Sequence, residues 1–496
     1  LTTNNSIQAA WVAIANFISV VFVTVIGIVL ARVLSRAEYG TYRQVLYLYN
    51  TMLIFLTLGL PKAYVYFIPR IEPAHTLAFI RKMNKIMFFL GLIFAAIFLF
   101  GAQLFAKLLN NADLSKELVV FSVIPILLFP TLGTESIFSS FKKTSLITIY
   151  ALITNGSKLV FVVLAVFVFK ETTSYAIFGL IIAALISFLS SQILVTRLIK
   201  NNIPELDNRT KIETTYKEII SYTTPILIAS IFGIISTSID QIVISRYFGT
   251  EVFADFANGS TEIPLISMVV SAGSVVLAPL FSRQAISKNP ISELFPLWIS
   301  SLRKTILITY PIIIFCFVNA TEIMILLFGK KYAGAGNYFS VIIILSFFRI
   351  VMFAPLLLAV GKQRVYSNAH LIQALLIIIL EGIAVKTFHN PLLIIWISTL
   401  VKIGVLIYFG KVVADYFETK IMEIIPVRDM ILVLLISFAC ALLVKLLCVE
   451  IQIQNHFIGT IINLCFFGLS FFGAAFIFKL DYMSILKPFL IKSTKK

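Results

Sequence analysis

Apolar stretches long enough to cross about 30 Å of hydrocarbon, roughly 20 residues each, recur along the whole sequence. They fall at approximately 7–32, 43–68, 86–106, 118–140, 145–169, 175–199, 219–246, 255–281, 300–328, 337–360, 365–385, 391–414, 429–449 and 457–479. With 59% of its 496 residues apolar and 13% charged, the chain cannot hide that surface in a water-soluble core. The expected fold class is therefore all-α and integral to a membrane, with about fourteen transmembrane helices.

A net charge of +17 would suggest nucleic acid in a soluble protein. Here the basic residues sit in short loops between apolar runs, which is the pattern that sets topology, so no nucleic-acid partner is expected. An even number of spans puts both termini on one side. Assigning that side to the cytoplasm places most of the Lys and Arg inside, among them Arg81, Lys82, Lys142, Lys143, Lys495 and Lys496. Arg32, Arg36 and Arg43 then face outward, against the trend. The first span is expected to be retained rather than cleaved, because its flank, Leu1 to Ile7, carries no Lys or Arg.

Several chemistries drop out. Cys316, Cys440, Cys448 and Cys465 all lie in apolar runs without CxxC spacing, and His75, His370, His389 and His456 are scattered without ligand spacing, so no metal site is expected. No GxxxxGK[ST] loop occurs, and the glycine-rich stretch from Gly329 to Gly336 follows a span, as an outer turn would. The loops are too short for a catalytic domain. The expectation is a protein that is not an enzyme and carries no cofactor.

The chain contains an internal repeat. Shifted by 214 positions, ARVLSRAEYGTYR (Ala31–Arg43) falls on SRYFGTEVFADFA (Ser245–Ala257), with Arg32 over Arg246, Tyr39 over Phe253, Gly40 over Ala254 and Tyr42 over Phe256. Gly59 then meets Gly273, and after an eight-residue insertion Lys82 meets Lys304. Duplication is the preferred explanation. It predicts a six-helix bundle over 1–200, a cytoplasmic linker over 201–218, a second six-helix bundle over 219–414, an appended helix pair over 429–479 and a basic cytoplasmic tail over 480–496. Parallel repeats of this kind are a transporter architecture.

Six plus six plus two spans, with LARVLSRAEYGTY after the first, LLFGKKYAGAG (Leu326–Gly336) after the ninth and AVGKQ (Ala359–Gln363) after the tenth, resemble the Wzx-type oligosaccharide-lipid flippases. These belong to the superfamily that also holds multidrug extruders and the peptidoglycan-precursor flippase. The resemblance implies two repeats forming a V-shaped cleft. It also implies translocation of an undecaprenyl-pyrophosphate-linked oligosaccharide from the inner to the outer leaflet of a bacterial cytoplasmic membrane by alternating access. Its partners would be the lipid-linked glycan, membrane lipids, a polysaccharide polymerase and glycosyltransferases.

Such a cargo needs cations for its pyrophosphate and hydroxyls and amides for its glycan. Span 2 offers Arg43, Tyr47, Asn50 and Thr57 at helical spacing; span 8 offers Asp255, Asn258 and Glu262, and span 7 Asp240 and Gln241. Arg32, Arg36, Arg43 and Arg246 would line the outer mouth of a hydrated cleft. Arg32 and Arg36 could equally snorkel to headgroups, and Asn50 and Thr57 could bond a neighbouring helix. Lys158, Arg349 and Lys402 fall in mid-span, where a charge costs at least about 2.5–3.5 kcal/mol, so each needs water, a carboxylate or ligand. Glu135 is a candidate partner for Lys158. No acid stands out for Arg349 or Lys402, which makes both candidate substrate contacts. Asp240, Glu262 and Glu381 are candidate coupling carboxylates, with a proton or sodium gradient as the energy source. A multidrug exporter would want an acid in span 1, which has none; a peptidoglycan-precursor flippase would share the topology and the cationic cleft and differ only in the residues that contact the glycan.

The orientation is testable with introduced cysteines. Those beside Lys142–Lys143 and Lys495–Lys496 should resist a membrane-impermeant thiol reagent in intact cells, and Gly334→Cys should label. Reversed labelling would overturn the assignment of sides.

Overall fold

The computed structural model describes residues 2–72, 75–169, 171–202, 216–285, 290–351, 353–450 and 456–482. Within the expected linker and tail, 203–215 and 483–496 lie outside the described residues. Among the described residues, 12 segments are long and apolar enough to cross a membrane. The expected spans 219–246 and 255–281 coincide with helices that are not among those 12. The fold is all-helical, as a lipid-embedded chain requires, since backbone polar groups in hydrocarbon must bond within the chain.

By contacts the chain divides into two compact units, Leu1–Ala254 and Asp255–Lys496. The first holds α1 (Thr2–Val33), α2 (Arg36–Leu56), α3 (Pro61–Phe67), α4 (Thr76–Leu108), α5 (Asp113–Phe121), α6 (Val123–Leu128), α7 (Thr134–Ser140), α8 (Ser145–Val168), α9 (Thr173–Asn202) and most of α10 (Tyr216–Gly259). The expected second span, 43–68, is not one helix. Leu58 and Gly59 take left-handed backbone angles (φ 51° and 71°), and Pro61 then opens α3. The fourth, 118–140, is broken into α5, α6 and α7, with Pro125 and Pro130 at the joints. An aromatic stack fills the centre of this unit: Tyr49 lies against Phe94 (5.5 Å between ring centres), Phe94 against Phe129 (5.6 Å) and Phe98 against Phe121 (6.1 Å).

The repeat offset recurs in the backbone. Ser35 separates α1 from α2, its hydroxyl accepting from the Glu38 N–H at 3.2 Å. Gly249, 214 positions on, is the non-helical kink of α10 (φ 84°). Ser35 and Glu38 have the spacing of a capping box, but the Glu38 carboxylate turns away to accept from the Thr173 N–H at the start of α9 (2.6 Å).

The second unit continues with α11 (Pro264–Gln284), α12 (Pro290–Val318), α13 (Ala320–Phe328), α14 (Ala335–Arg349), α15 (Phe353–Ala359), α16 (Gln363–Thr387), α17 (Pro391–Tyr416), α18 (Val427–Glu450) and α19 (His456–Ile477). Fully buried Trp298 anchors its core against Phe281, Phe353 and Phe417, and its indole N–H donates to the Ile424 carbonyl at 2.8 Å. The last two helices are tied on by polar contacts as well as packing. Asp429 pairs with Arg303 (2.6 Å), Lys445 with Glu322 (3.0 Å), and Asn463 donates to Asn319 (2.9 Å). Large apolar side chains such as Phe100, Leu104, Leu469 and Phe476 stay exposed, as a lipid-facing surface demands.

Helix approach within the first unit depends on small residues. A Cβ at Gly179 of α9 would lie 2.5 Å from the Phe161 carbonyl oxygen and 2.6 Å from Val162 Cα on α8. Gly179→Leu should therefore lower stability by about 1–3 kcal/mol, read as a lowered thermal midpoint of the detergent-solubilised protein. Gly156→Ala, where a Cβ meets nothing within 4 Å, should leave the midpoint unchanged.

Candidate functional site

Polar chemistry collects in two places, one in each unit. In the first, α2 packs against the end of α10 along a stripe at helical spacing: Gly40, Gln44, Tyr47 and Thr51. A Cβ at Gly40 would sit 2.2 Å from the Thr250 carbonyl oxygen, so only glycine lets the backbones meet there. Gln44, fully buried, donates to Ser245 Oγ at 2.6 Å. Asn111, from the turn after α4, donates to both Gln44 Oε1 (2.6 Å) and Thr41 Oγ1 (2.9 Å). The Tyr47 hydroxyl donates to the Ser238 carbonyl at 2.8 Å.

This seam decides where the outer-mouth candidates go. Arg36 pairs with Glu251 at 3.6 Å. Arg43 donates to the Tyr39 hydroxyl at 3.0 Å and lies over the same ring. Arg246 is exposed and donates to the Leu108 carbonyl at 3.0 Å. Arg32 and Asn50 are exposed, Thr57 is buried at the end of α2, and Asp240 is buried on α10. Arg36, Tyr47 and Arg246 thus take part in helix packing, Arg43 is held within α2 by Tyr39, and the polar wall expected along Arg43, Tyr47 and Asn50 meets an interhelical seam at Tyr47.

Lys158, in the middle of the α8 span, is half-buried and within electrostatic reach of exposed Glu135 on α7. Among the described residues no hydrogen bond or ion pair closes between these two, so the expected pairing is one of proximity. A charge exposed at that depth is tolerable only where it meets water.

The second place lies in the other unit, where two helices break beside each other. Gly259 ends α10 so close to α14 that a Cβ would fall 2.4 Å from the Ala335 carbonyl oxygen. The chain then leaves the helix until Pro264 starts α11, with Ile263 before it extended, as a residue preceding proline prefers. Further along, α14 stops at Arg349 and α15 begins at Phe353. Pro355 lacks an N–H to offer the Val351 carbonyl and would clash with it, which explains a break there. Glu262 stands in the first break and Arg349 at the edge of the second, and the two form a direct ion pair. The expectation that Arg349 has no acid of its own is corrected: sequence distance hid a partner 87 residues away. Their side chains remain 46% and 56% exposed for Arg349 and Glu262, and Arg349 falls near the middle of the span Ala335–Ala359.

The remaining candidates of this unit lie apart in its helices. Asn258, fully buried, sits one turn before Glu262. Glu381 is fully buried on α16, and half-buried Lys402 on α17 donates to Ser398 Oγ at 3.4 Å. Gln44, Asn111 and Ser245 escaped the sequence reading. The available signal was the Gly40–Gln44–Tyr47–Thr51 spacing, one helical position away from the stripe that was chosen.

A helix that breaks within an apolar span with a charge at the break, as α14 does at Arg349, suits a multi-pass membrane transporter. The chain belongs to the polysaccharide biosynthesis protein family, whose profile matches residues 8–286, more than half its length. This bears out the family resemblance carried by LARVLSRAEYGTY and the motifs after spans 9 and 10. It is 24% identical over 412 residues to the capsular polysaccharide biosynthesis protein CapF of Staphylococcus aureus, covering 80% of this chain and 97% of that one. In fold it is similar to the lipid II flippase MurJ in an inward closed conformation, with a TM-score of 0.70, 14% identity, and 95% and 99% of the two chains covered. It is also similar to a multidrug resistance MATE family transporter of the MOP superfamily in its inward-facing conformation, with a TM-score of 0.61, 11% identity, and 81% and 95% covered.

The buried network generates a stability prediction. Asn111→Leu strands the polar atoms of Gln44 and Thr41 and should cost about 1–3 kcal/mol. In a cycle with Gln44→Leu the two losses should fall short of additivity by at least about 0.5 kcal/mol, measured by thermal unfolding of the purified protein.

Proposed function

We propose that the protein is a flippase that moves an undecaprenyl-pyrophosphate-linked oligosaccharide, the repeat unit of a surface polysaccharide, from the inner to the outer leaflet of the bacterial cytoplasmic membrane by alternating access. The observation that carries this reading is cationic side chains that stay partly accessible in the middle of apolar spans, Lys158, Arg349 and Lys402, in a chain of the polysaccharide biosynthesis family. A polyprenyl tail can stay in lipid throughout the crossing. The pyrophosphate cannot, and a cation in a low-dielectric surround attracts it far more strongly than one in bulk water.

In this reading Arg32 and Asn50, exposed on α1 and α2, and Arg246 contact the glycan or its phosphates. Arg36 and Tyr47 shape the same region through the α2–α10 seam, Arg43 contacts the cargo from α2, and Asn258 supports the Glu262 break. Asp240 and Glu381, both buried, are the carboxylates through which a proton or sodium gradient would drive the cycle. Both termini lie in the cytoplasm. Glycosyltransferases supply the lipid-linked glycan and a polymerase consumes it. The relation to CapF supports a capsule-type polysaccharide as the product.

The fold likeness to a lipid II flippase keeps one second reading, export of a peptidoglycan precursor. Gene deletion separates the two. Loss of surface polysaccharide in viable cells is expected, whereas loss of viability with surface polysaccharide intact would favour the second reading. Complementation should then restore export with the wild-type gene. Lys402→Ala and Arg349→Gln should cut surface polysaccharide at least about tenfold, the loss of one charge-assisted contact, at unchanged protein abundance. Full export by both variants at normal abundance would remove the role given to the mid-span cations.

A further inference from the structure

The Glu262–Arg349 pair does more than neutralise a cation within an apolar span. Two features of its setting are hard to explain as structural glue. The pair is half open on both sides, 46% and 56% exposed, although a pair meant only to cancel charge in a membrane is better closed off. Both partners also stand at helix breaks, Glu262 between Gly259 and Pro264 and Arg349 as the last residue of α14.

Each charge is also placed at the helix end that favours it. The Glu262 carboxylate lies just ahead of the N-terminus of α11, a helix of 21 residues, and Arg349 closes the C-terminal turn of α14. An oxyanion thus already sits on the guanidinium, from a residue two positions before the first of α11, and it is the protein's own.

We propose that Glu262 is a resident stand-in for the substrate's pyrophosphate. It holds Arg349 paired while the site is empty and gives way when a phosphate anion replaces it on the guanidinium. This rests on the flippase reading, and deepens it by naming the anion-recognition site and the device that keeps it from trapping other anions. The exchange swaps one charge-assisted pair for another. The cation is never left bare, and the cargo meets a barrier of modest height on entry and on release. A guanidinium without a built-in rival would hold a dianion tightly and slow its release.

The test measures binding of inorganic pyrophosphate and farnesyl pyrophosphate, with farnesol as the uncharged lipid control, to the full-length protein in phosphatidylcholine nanodiscs. Glu262→Gln removes the rival charge and should tighten both pyrophosphates at least about fivefold. Arg349→Gln should weaken both at least about tenfold. The double variant should match Arg349→Gln, because a latch without its cation has nothing to release. Arg349→Lys should retain binding of the charged ligands. Farnesol should be indifferent to all four changes. If Glu262→Gln does not yield monodisperse protein, Glu262→Asp, which withdraws the carboxylate by one methylene, should tighten binding in the same direction.

Unchanged or weaker pyrophosphate binding in the Glu262 variant overturns the stand-in role, and unchanged binding in Arg349→Gln overturns the site. A farnesyl pyrophosphate effect without an inorganic pyrophosphate effect assigns recognition to the lipid and also overturns it. The flippase reading has its own readout: it survives any of these results if deletion of the gene still abolishes surface polysaccharide, and falls if it does not.

Discussion

A charge in the middle of a bilayer has to meet water, an opposite charge or a ligand, and that requirement governs much of this structure. Apolar side chains on the outer surface of the helices face lipid without difficulty. Lys158, Arg349 and Glu262 have no such freedom. Each is partly exposed, so the surface it is exposed to has to be hydrated. The helix breaks follow from the same requirement. Non-helical backbone at membrane depth survives only where it is buried in protein or lines a water-filled space, and the break around Glu262 carries the one side chain best able to hold water there.

The two units solve their polar problems differently. In the first, Gln44, Asn111, Thr41 and Ser245 satisfy one another inside a seam that Gly40 allows to close against Thr250. Such a network is strong because every removal strands a partner. In the second, Glu262 and Arg349 satisfy each other yet remain open to solvent. A closed amide network suits a contact that has to hold, and an open ion pair suits a contact that has to be exchanged.

Much of the architecture was legible in the sequence because hydrophobic length reports directly on a span. The all-helical membrane fold and the family both follow from apolar runs and from short motifs after them. The breaks inside spans 2 and 4 were less visible. Hydropathy averages across Leu58–Gly59 and Pro125, while the backbone does not. The site was legible by residue type only. Lys158, Arg349 and Lys402 stand out because charge is expensive at their depth. Their partners are set by tertiary contact: Glu262 is 87 residues from Arg349, and no local spacing rule reaches that far. Tyr47 shows another limit, since a polar stripe on a helix reads the same whether it faces a cavity or, as at its bond to Ser238, a neighbouring helix.

The central claim is that the broken-helix region around Glu262 faces water rather than lipid. A spin label at Thr261→Cys, beside the pair and exposed, can be compared with one at Ile379→Cys on the apolar surface of α16, both in a background without native cysteines and in lipid nanodiscs. The account predicts that a water-soluble nickel chelate broadens the Thr261 label and spares the Ile379 label, while molecular oxygen does the reverse. Oxygen-dominated relaxation at both positions would contradict it.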